Sequence, residues 1–360
     1  MAKIDAFFKL MHDQGASDLH LIAGLQPILR VCGQLERVKY KELSNDELRS
    51  MLYEITTEEK VKRFEESGDL DFAYEIPGLA RYRANYFMHL RGIGAVFREI
   101  PDVVLTAEQL GLPDVVKKLA MLPKGLVLVT GPTGSGKSTT LAAMVDYANR
   151  HRRDNIITIE DPIEFVHRSQ NCVINHRELE THTKNFAAAL RGALREDPDM
   201  ILVGEMRDLE TIQLAIEAAA TGHLVLSTLH TTSATKTVDR IIEVFPGQLQ
   251  AQIRSTMADG LRGVIAQTLF KRHDKPGRCV ALEIMVATPA VRNLIRESKT
   301  FQIVTVLQTG KKYGMQTLDD SIADLLAKGM ISSDEAYSKC NDKQRFVGFL
   351  KKAPSDFTEV

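Results

Sequence analysis

A glycine-rich segment that contains one lysine carries the clearest chemistry in this sequence. Residues 131–139 read Gly-Pro-Thr-Gly-Ser-Gly-Lys-Ser-Thr and directly follow an apolar segment, 126–130. Its glycines would let successive backbone N–H groups point at an anion, and a helix that begins near the lysine would add its positive N-terminal end. The lysine would reach the β- and γ-phosphates of a nucleoside triphosphate, and the following serine hydroxyl would bind Mg²⁺. We therefore predict a site for ATP or ADP and Mg²⁺ formed by Gly131, Pro132, Thr133, Gly134, Ser135, Gly136, Lys137, Ser138 and Thr139.

A second apolar segment, 156–159, leads into a group of carboxylates. Glu160, Asp161 and Glu164 follow it, and they would lie at the edge of the sheet where open α/β folds bind their ligands. Hydrolysis of ATP needs a group that orients and deprotonates water, and Glu164 is our first choice because Pro162 turns the chain after the strand. Glu160 is expected to stabilise the nucleotide site, and a solvated loop is the alternative reading of these acids.

A third apolar segment, 201–203, is followed by Gly204 and Glu205. Glu205 could act on Mg²⁺ through water, or it could be the base in place of Glu164. We favour the magnesium role for Glu205, and the residues alone leave the two roles open.

Histidines lie at both ends of a fourth apolar strand, 224–228. His230 follows that strand at the same edge of the sheet as the glycine-rich loop, so it is placed to sense the γ-phosphate. His223 comes just after a helix end, where a structural role is more common. No set of metal ligands can be assembled around His230, so we predict no zinc site.

Three arginines occur in strand-like segments of the first hundred residues. Arg81 and Arg83 share one face of a strand, and Arg98 ends the next strand. Transfer of a γ-phosphoryl group concentrates negative charge, which an arginine from a neighbouring chain can neutralise. We predict that role for these arginines; surface arginines with scattered partners are the alternative. Arg195 is a further candidate, although a salt bridge at a helix end explains it equally well.

The elements that must position these side chains divide the sequence near residue 100. Residues 1–98 mix short helical and alternating segments, which is typical of a small α+β domain, and 99–112 are predicted to be a linker. In 113–350 apolar strands alternate with helical patterns, which predicts an α/β domain built on a mainly parallel sheet. The pattern after Ser255 predicts mostly helix, and 351–360 form a polar tail.

Composition argues against several classes of function. Lys and Arg total 46 against 47 acidic residues, so there is no general positive field and we predict no nucleic-acid partner. No apolar run approaches the ~20 residues that span a bilayer, and the first residues lack the apolar core of a secretory signal. Direct membrane insertion is therefore not expected. The cysteines form no CxxC pair, which favours a reduced, cytoplasmic chain without a zinc or disulfide framework; they are Cys32, Cys172, Cys279 and Cys340.

The four motifs, in this order, resemble those of the ATPases of the type II and type IV secretion superfamily. GPTGSGKST, TIEDPIE, ILVGEMRD and HLVLSTLHTTSA are similar to the Walker A, Asp box, Walker B and His box of that family. The third departs from the usual Walker B pattern, since Gly204 and Glu205 stand where a magnesium-directed Asp is expected. ASDLH at 16–20 and AVRNLIRE at 290–297 resemble motifs of the pilus-retraction branch, whose AIRNLIRE differs only at Val291. The resemblance covers residues 1 to about 345.

This resemblance implies a PAS-like N-terminal domain followed by a RecA-like P-loop ATPase domain. It also implies a homo-hexameric motor that hydrolyses ATP to power retraction of a type IV pilus. The implied location is cytoplasmic, at the inner membrane, where the ring would meet a platform protein at the pilus base. An accessory retraction ATPase is a further implied partner.

Other functions stay open at this point. A pilus-extension or type II secretion ATPase is expected to carry an additional N-terminal domain and a four-cysteine zinc site, which this sequence does not display. An accessory retraction ATPase, or a nucleotide-gated regulatory subunit, would bind ATP without comparable turnover. A RecA-like DNA motor is disfavoured by the net charge of −1.

Overall fold

The computed structural model describes residues 2–31, 33–100 and 103–350. The predicted polar tail, 351–360, and Cys32 lie outside the described residues. The chain forms two compact units. The first contains Met1–Val103 and Pro162–Val166, and the second contains Val104–Asp161 and His167–Val360.

The first unit is an antiparallel sheet of six strands with order β3-β2-β1-β6-β5-β4. Its strands are β1 (Asp18–Ile22), β2 (Ile28–Val31), β3 (Gln34–Arg37), β4 (Asp69–Ile76), β5 (Ala80–His89) and β6 (Gly92–Ile100). Its helices within the described residues are α1 (Asp5–Asp13), α2 (Asn45–Glu54) and α3 (Glu58–Ser67).

Alternation along β5 gives this sheet one apolar and one polar face. Tyr82, Ala84 and Tyr86 are fully buried, whereas Arg81 and Arg83 lie on the opposite face. The buried face packs against α1, where the ring of Phe8 lies 4.4 Å from that of Tyr82. The period-2 pattern therefore predicted the two faces of this strand correctly.

The end of β6 overlaps the predicted linker. β6 continues to Ile100, and the next helix within the described residues, α4 (Asp114–Ala120), begins the elements of the second unit. The predicted linker, 99–112, thus contains the last two residues of a strand.

The second unit is a sheet of seven strands with order β13-β12-β7-β11-β10-β8-β9, in which only β12 and β13 pair antiparallel among the described strands. The strands are β7 (Gly125–Thr130), β8 (Asn155–Glu160), β9 (Val173–Glu178), β10 (Met200–Val203), β11 (Leu224–Leu229), β12 (Leu261–Lys271) and β13 (Arg278–Val286). The predicted α/β class is therefore confirmed.

Helices cover this sheet. They are α5 (Lys137–His151), α6 (Phe186–Ala193), α7 (Leu209–Thr221), α8 (Ala234–Glu243), α9 (Gly247–Gly260), α10 (Pro289–Arg296), α11 (Ile303–Thr309), α12 (Leu318–Ala327), α13 (Ser333–Lys339) and α14 (Lys343–Val347), with short 3-10 turns at Thr300–Gln302 and Lys311–Tyr313. Within the described ranges, no helix has the length and apolar character needed to cross a bilayer.

Local signals explain where the helices near the parallel strands begin and end. The Asp208 side chain accepts a hydrogen bond from the N–H of Thr211 at 2.8 Å and so caps α7, which ends at Gly222 with φ 144°. Ser233 caps α8 in the same way, because its hydroxyl accepts from the N–H of Lys236. These caps satisfy N–H groups that a helix start otherwise leaves unpaired.

The prediction of mostly helix after Ser255 is confirmed from α10 to α14, but it missed β12 and β13, which form a long hairpin between α9 and α10. β12 is buried along most of its length, so it lacks the alternation of a strand with one wet face. An apolar run such as 264–266 is compatible with a buried helix or a buried strand, and periodicity cannot separate them.

The motif at 290–297 lies on α10, an amphipathic helix, and on its C-cap, Glu297. Val291 and Ile295 are fully buried. On its other side, Arg292 Nε donates to the carbonyl oxygen of Ala287 at 2.8 Å, and Arg296 forms an ion pair with Asp259. Two of the polar residues therefore contact neighbouring parts of the same unit.

Candidate functional site

The glycine-rich loop joins β7 to α5 at the carboxyl edge of the parallel strands. Gly131, Gly134 and Gly136 have φ values of 145°, 76° and 87°, in the region that favours glycine. Space is also short, since a Cβ at Gly131 would lie 2.4 Å from the carbonyl oxygen of Gln267. Both the backbone conformation and the packing therefore require glycine at residue 131.

Lys137 is the first residue of α5, and its side chain folds back along this loop. It is 9% exposed, and its Nζ donates to the carbonyl oxygens of Gly131 at 3.0 Å and Pro132 at 3.1 Å. The N-cap of α5 is Gly136, which has no side chain to occupy the N–H groups of the first turn. Ser138 lies in that turn and is partly exposed. The start of α5 therefore suits an anion.

His230 links the loop lysine to the acid that follows β10. Its Nδ1 lies 3.5 Å from Lys137 Nζ, and its Nε2 lies 3.0 Å from Glu205 Oε1. With its proton on Nε2, the imidazole donates to the carboxylate and accepts from the lysine. The structure therefore joins side chains from three strand ends, which the sequence predicted separately.

Glu205 is also held by an arginine. A guanidinium nitrogen of Arg207 lies 2.8 Å from Glu205 Oε2. Burial raises the pKa of Glu205, but the hydrogen bond and charge of Arg207, together with His230, outweigh it, so the pKa lies below its usual value. Glu205 is therefore an ionised carboxylate at neutral pH.

The glycine that replaces the expected Walker B aspartate packs against β8. The N–H of Gly204 donates to the carbonyl oxygen of Ile159 at 2.8 Å. A Cβ at Gly204 would lie 3.3 Å from that oxygen and 3.4 Å from the Cα of Glu160, which is itself 8% exposed. Close contact between these strand ends therefore favours glycine at 204, where Glu160 on β8 and Glu205 next in sequence are acidic neighbours.

Glu164, our first choice as the base, lies in the segment Pro162–Val166, which belongs to the first unit. Its side chain is exposed, whereas Pro162 and Ile163 before it are buried. The chain therefore leaves the second unit directly after Asp161 and returns to it at His167.

The three candidate arginines share the polar face of the first unit's sheet. Arg83 and Arg98 are direct cross-strand partners on β5 and β6, and Arg81 lies two residues before Arg83. Each has an acidic partner in its own unit: Arg81 with Glu75 at 3.5 Å, Arg83 with Asp71 at 4.0 Å and Arg98 with Asp18 at 2.8 Å. Among these three, the pair of Arg83 with Asp71 is exposed on both sides, and such a pair contributes little stability. Arg81 is largely buried, and so is Asp18, the partner of Arg98.

Sequence reasoning missed Gln267, which lies against the loop from β12. Its Nε2 donates to the carbonyl oxygen of Ser135 at 2.6 Å, and the residue is 2% exposed. The detectable signal was a lone side-chain amide inside an apolar run, but that run was taken for helix.

Arg195, the fourth candidate arginine, is exposed.

Two clefts open on the second unit. One, of about 310 Å³, includes Glu205, Arg207 and His230 in its lining. The larger, of about 710 Å³, lies between the start of α4 and the turn at Lys311–Tyr313 and contains none of the predicted site residues. Across the described residues, no group of three or more His, Cys, Asp or Glu side chains could by itself hold a metal ion.

Known proteins resemble this chain over both units. The family model described as type II/IV secretion system protein matches residues 96–338. The type IV pilus retraction ATPase PilT of Pseudomonas aeruginosa is 55% identical over 333 residues, which cover 92% of this chain and 96% of that protein. The type IV pilus ATPase PilU of the same organism is 36% identical over 357 residues, covering 98% of this chain and 94% of PilU. A crystal structure of the pilus retraction motor PilT with bound ADP is 40% identical, has a TM-score of 0.88, and is matched over 96% of this chain and 98% of that one.

Proposed function

The chain belongs to the type II/IV secretion system protein family, and on that premise we propose that it is an ATPase that powers retraction of a type IV pilus. The observation that carries the proposal is the meeting of Lys137, His230 and Glu205 beside a glycine-rich loop at one edge of a parallel sheet. Greater identity to PilT, 55%, than to PilU, 36%, favours the retraction ATPase itself over an accessory one.

Nucleotide binding begins with the loop and the start of α5. We propose that their N–H groups hold the phosphates, and that Lys137 exchanges the carbonyl oxygens of Gly131 and Pro132 for the β- and γ-phosphates. The ADP in the related PilT crystal supports a nucleotide here. Ser138 and Glu205 have the oxygen atoms that Mg²⁺ prefers. When bound, Mg²⁺ would neutralise charge on the phosphates.

Hydrolysis then needs a base and a group that registers the γ-phosphate. We assign the base to Glu164 and the hold on magnesium, through water, to Glu205, with Glu160 stabilising the site. His230 contacts both Lys137 and Glu205, so a movement of the lysine to the phosphates changes the surroundings of the carboxylate. This contact is the physical basis for His230 as the γ-phosphate sensor.

Assembly into a homo-hexameric ring would complete each site. In this arrangement Arg81, Arg83 or Arg98 of one chain reaches the nucleotide of its neighbour and neutralises charge as the γ-phosphoryl group leaves. The ring would act on the cytoplasmic side of the inner membrane, against a platform protein at the pilus base, and an accessory retraction ATPase would be a further partner.

Turnover by the purified protein, together with the phenotype of a deletion strain, tests this function. We expect ATP hydrolysis, and cells that remain piliated but no longer twitch until the wild-type gene is restored. A gene encoding Lys137→Ala should fail to restore twitching, whereas Lys117→Ala, which breaks an ion pair with Asp114 on α4, should restore it. Loss of pili on deletion would favour a pilus-extension ATPase. Binding of ATP without turnover would favour a regulatory subunit.

A further inference from the structure

Gln267 lies against the glycine-rich loop with both its side chain and its main chain. Its side-chain Nε2 donates to the carbonyl oxygen of Ser135 at 2.6 Å, in the middle of the loop. A Cβ at Gly136 would lie 3.3 Å from the same Nε2, and a Cβ at Gly131 would lie 2.4 Å from the main-chain oxygen of Gln267. The loop is therefore backed by this residue of β12 at its beginning, middle and end.

The register of the sheet explains this position. β12 pairs parallel with β7, and Ala266 is opposite Thr130, the last residue of β7. Gln267 is consequently the first residue of β12 beyond that pairing, level with the point where the chain leaves β7 for the loop. Beside Gln267 the chain has already left β7, so the glycine-rich loop lies next to this residue in place of a strand.

A phosphate-binding loop must turn its N–H groups toward the anion, so its carbonyl oxygens must point away. Three loop carbonyls have side-chain donors in the structure. Lys137 holds those of Gly131 and Pro132, and Gln267 holds that of Ser135. Lys137 has to give up its bonds to two carbonyl oxygens when it binds phosphate. Gln267 is uncharged, so the phosphate does not attract it and its bond to Ser135 can persist.

Stability alone does not account for a glutamine here. Its Oε1 is buried and has no hydrogen-bond partner within the described residues, as is also true of Thr130 Oγ1 and Ser135 Oγ beside the loop. An unpaired buried acceptor costs free energy that a methionine of similar length would avoid. The bond that Nε2 donates to Ser135 therefore accounts for an amide at this buried position.

We propose that Gln267 is a positioning residue that keeps the loop in its phosphate-binding curvature after Lys137 has moved to the nucleotide. The inference rests on the proposed nucleotide site. It assigns to β12, which carries none of the sequence motifs, a part in phosphate recognition that acts through the loop.

The test uses the full chain and two variants at this position. Gln267→Met removes both polar atoms, and Gln267→Glu keeps the shape but replaces the donor with an oxygen. We expect the dissociation constant of a fluorescent ADP analogue to rise about tenfold in the Met variant, the scale for one net hydrogen bond. The Glu variant should bind more weakly still, because a carboxylate would face the Ser135 carbonyl oxygen and add negative charge behind the loop that binds the phosphates. Without nucleotide, amide hydrogen exchange of residues 131–140 should become faster in both.

Gln316 supplies the matched control. Its Nε2 also donates to a main-chain oxygen, that of Leu282 at 2.8 Å, which belongs to β13 and not to the loop. Gln316→Met should leave ADP affinity and loop exchange within about twofold of wild type. The inference is overturned if Gln267→Met binds ADP as wild type does, or if both Met variants weaken binding equally. If Gln267→Met fails to fold, the Glu variant decides by the same two measurements. Failure of the wild-type chain to bind ADP would instead contradict the proposed function. The amide hydrogen exchange of residues 131–140 would in that case still show whether Gln267 holds the loop.

Discussion

The two sheets of this protein bring charged side chains together in different ways. In the second unit, parallel strands end at one edge, so the loop after β7, Glu205 after β10 and His230 after β11 meet there. In the first unit, antiparallel strands alternate in direction, and Arg83 and Arg98 meet across the face of the sheet as cross-strand partners. A parallel sheet thus brings the residues that follow its strands together at one edge. An antiparallel sheet instead brings together residues that are paired across neighbouring strands.

Their electrostatics differ as well. In the second unit, His230 contacts both Lys137 and Glu205, so a change in the charge or position of one of the three alters the surroundings of the others. Each of the three candidate arginines of the first unit instead pairs with a different acid, and the pairs are partly exposed. We infer that Lys137, His230 and Glu205 of the second unit act together. We also infer that the arginines of the first unit are available to exchange their acidic partners for another anion.

The largest expected effect comes from breaking the contacts among Lys137, His230 and Glu205 in the second unit. Lys137→Ala removes the point charge proposed for the β- and γ-phosphates, so turnover should fall by a factor on the order of 10³ and nucleotide binding should weaken. Steady-state hydrolysis and ADP titration measure both. Lys117→Ala, which removes a partly buried lysine paired with Asp114 on α4, is the control. Unchanged turnover in Lys137→Ala would remove the loop from the mechanism.

The next effect distinguishes an acid of the second unit from one in the segment that belongs to the first. Glu164→Gln should still bind ATP but lower kcat by a factor on the order of 10², the scale for losing a general base. Glu205→Gln should instead weaken the dependence of turnover on Mg²⁺. Should Glu205→Gln trap ATP while Glu164→Gln turns over normally, the two roles are reversed.

A smaller effect, the partial recovery of activity, tests whether the first unit serves a neighbouring chain. Lys137→Ala and Arg83→Ala should each be inactive, but about a quarter of the interfaces in an equal mixture would combine an intact loop with an intact arginine. Mixed rings, verified with differently tagged chains, should therefore regain measurable hydrolysis. Activity that stays at the level of the parents would place the arginine with the loop of its own chain.

Arg98 and Arg30 make a matched pair for the same question. Both contact Asp18, at 2.8 Å and 3.5 Å respectively, so either substitution disturbs that ion pair. If Arg98 also serves a nucleotide, only Arg98→Ala should lower turnover. Equal losses would indicate that the arginines matter through Asp18 and the stability of the sheet.

The smallest effect concerns stability at the edge of the parallel sheet. Burial, with the neighbouring charge of His176, lowers the pKa of His167 to about 4. The folded state therefore favours neutral His167, and its contribution is complete above pH 6.5 and lost as the pH falls toward 4. Between pH 7 and pH 5 this should cost about 2 kcal/mol of unfolding free energy. Urea unfolding of His167→Gln should show a weaker acid dependence than wild type. His151→Gln, at an exposed histidine, should follow wild type, and equal curves for all three would contradict this.

Much of the second unit could be predicted from the sequence because its signals are local. The apolar runs before Gly131, Glu160, Glu205 and His230 are short, and each ends in the residue type that the chemistry needs. Parallel strands place such ends together, so a shared edge follows from the pattern. The hairpin of β12 and β13 could not be predicted, since a strand buried on both faces has no alternation.

The sequence by itself determined the α/β class, the glycine loop, and which side chains end the central parallel strands. Only the tertiary structure decided that His230 lies between Lys137 and Glu205, that the segment with Glu164 belongs to the first unit, and that Gln267 holds the loop. The reason is separation along the chain. Gln267 is 132 residues from Ser135, and no local pattern encodes the pairing of β12 with β7 that brings them together.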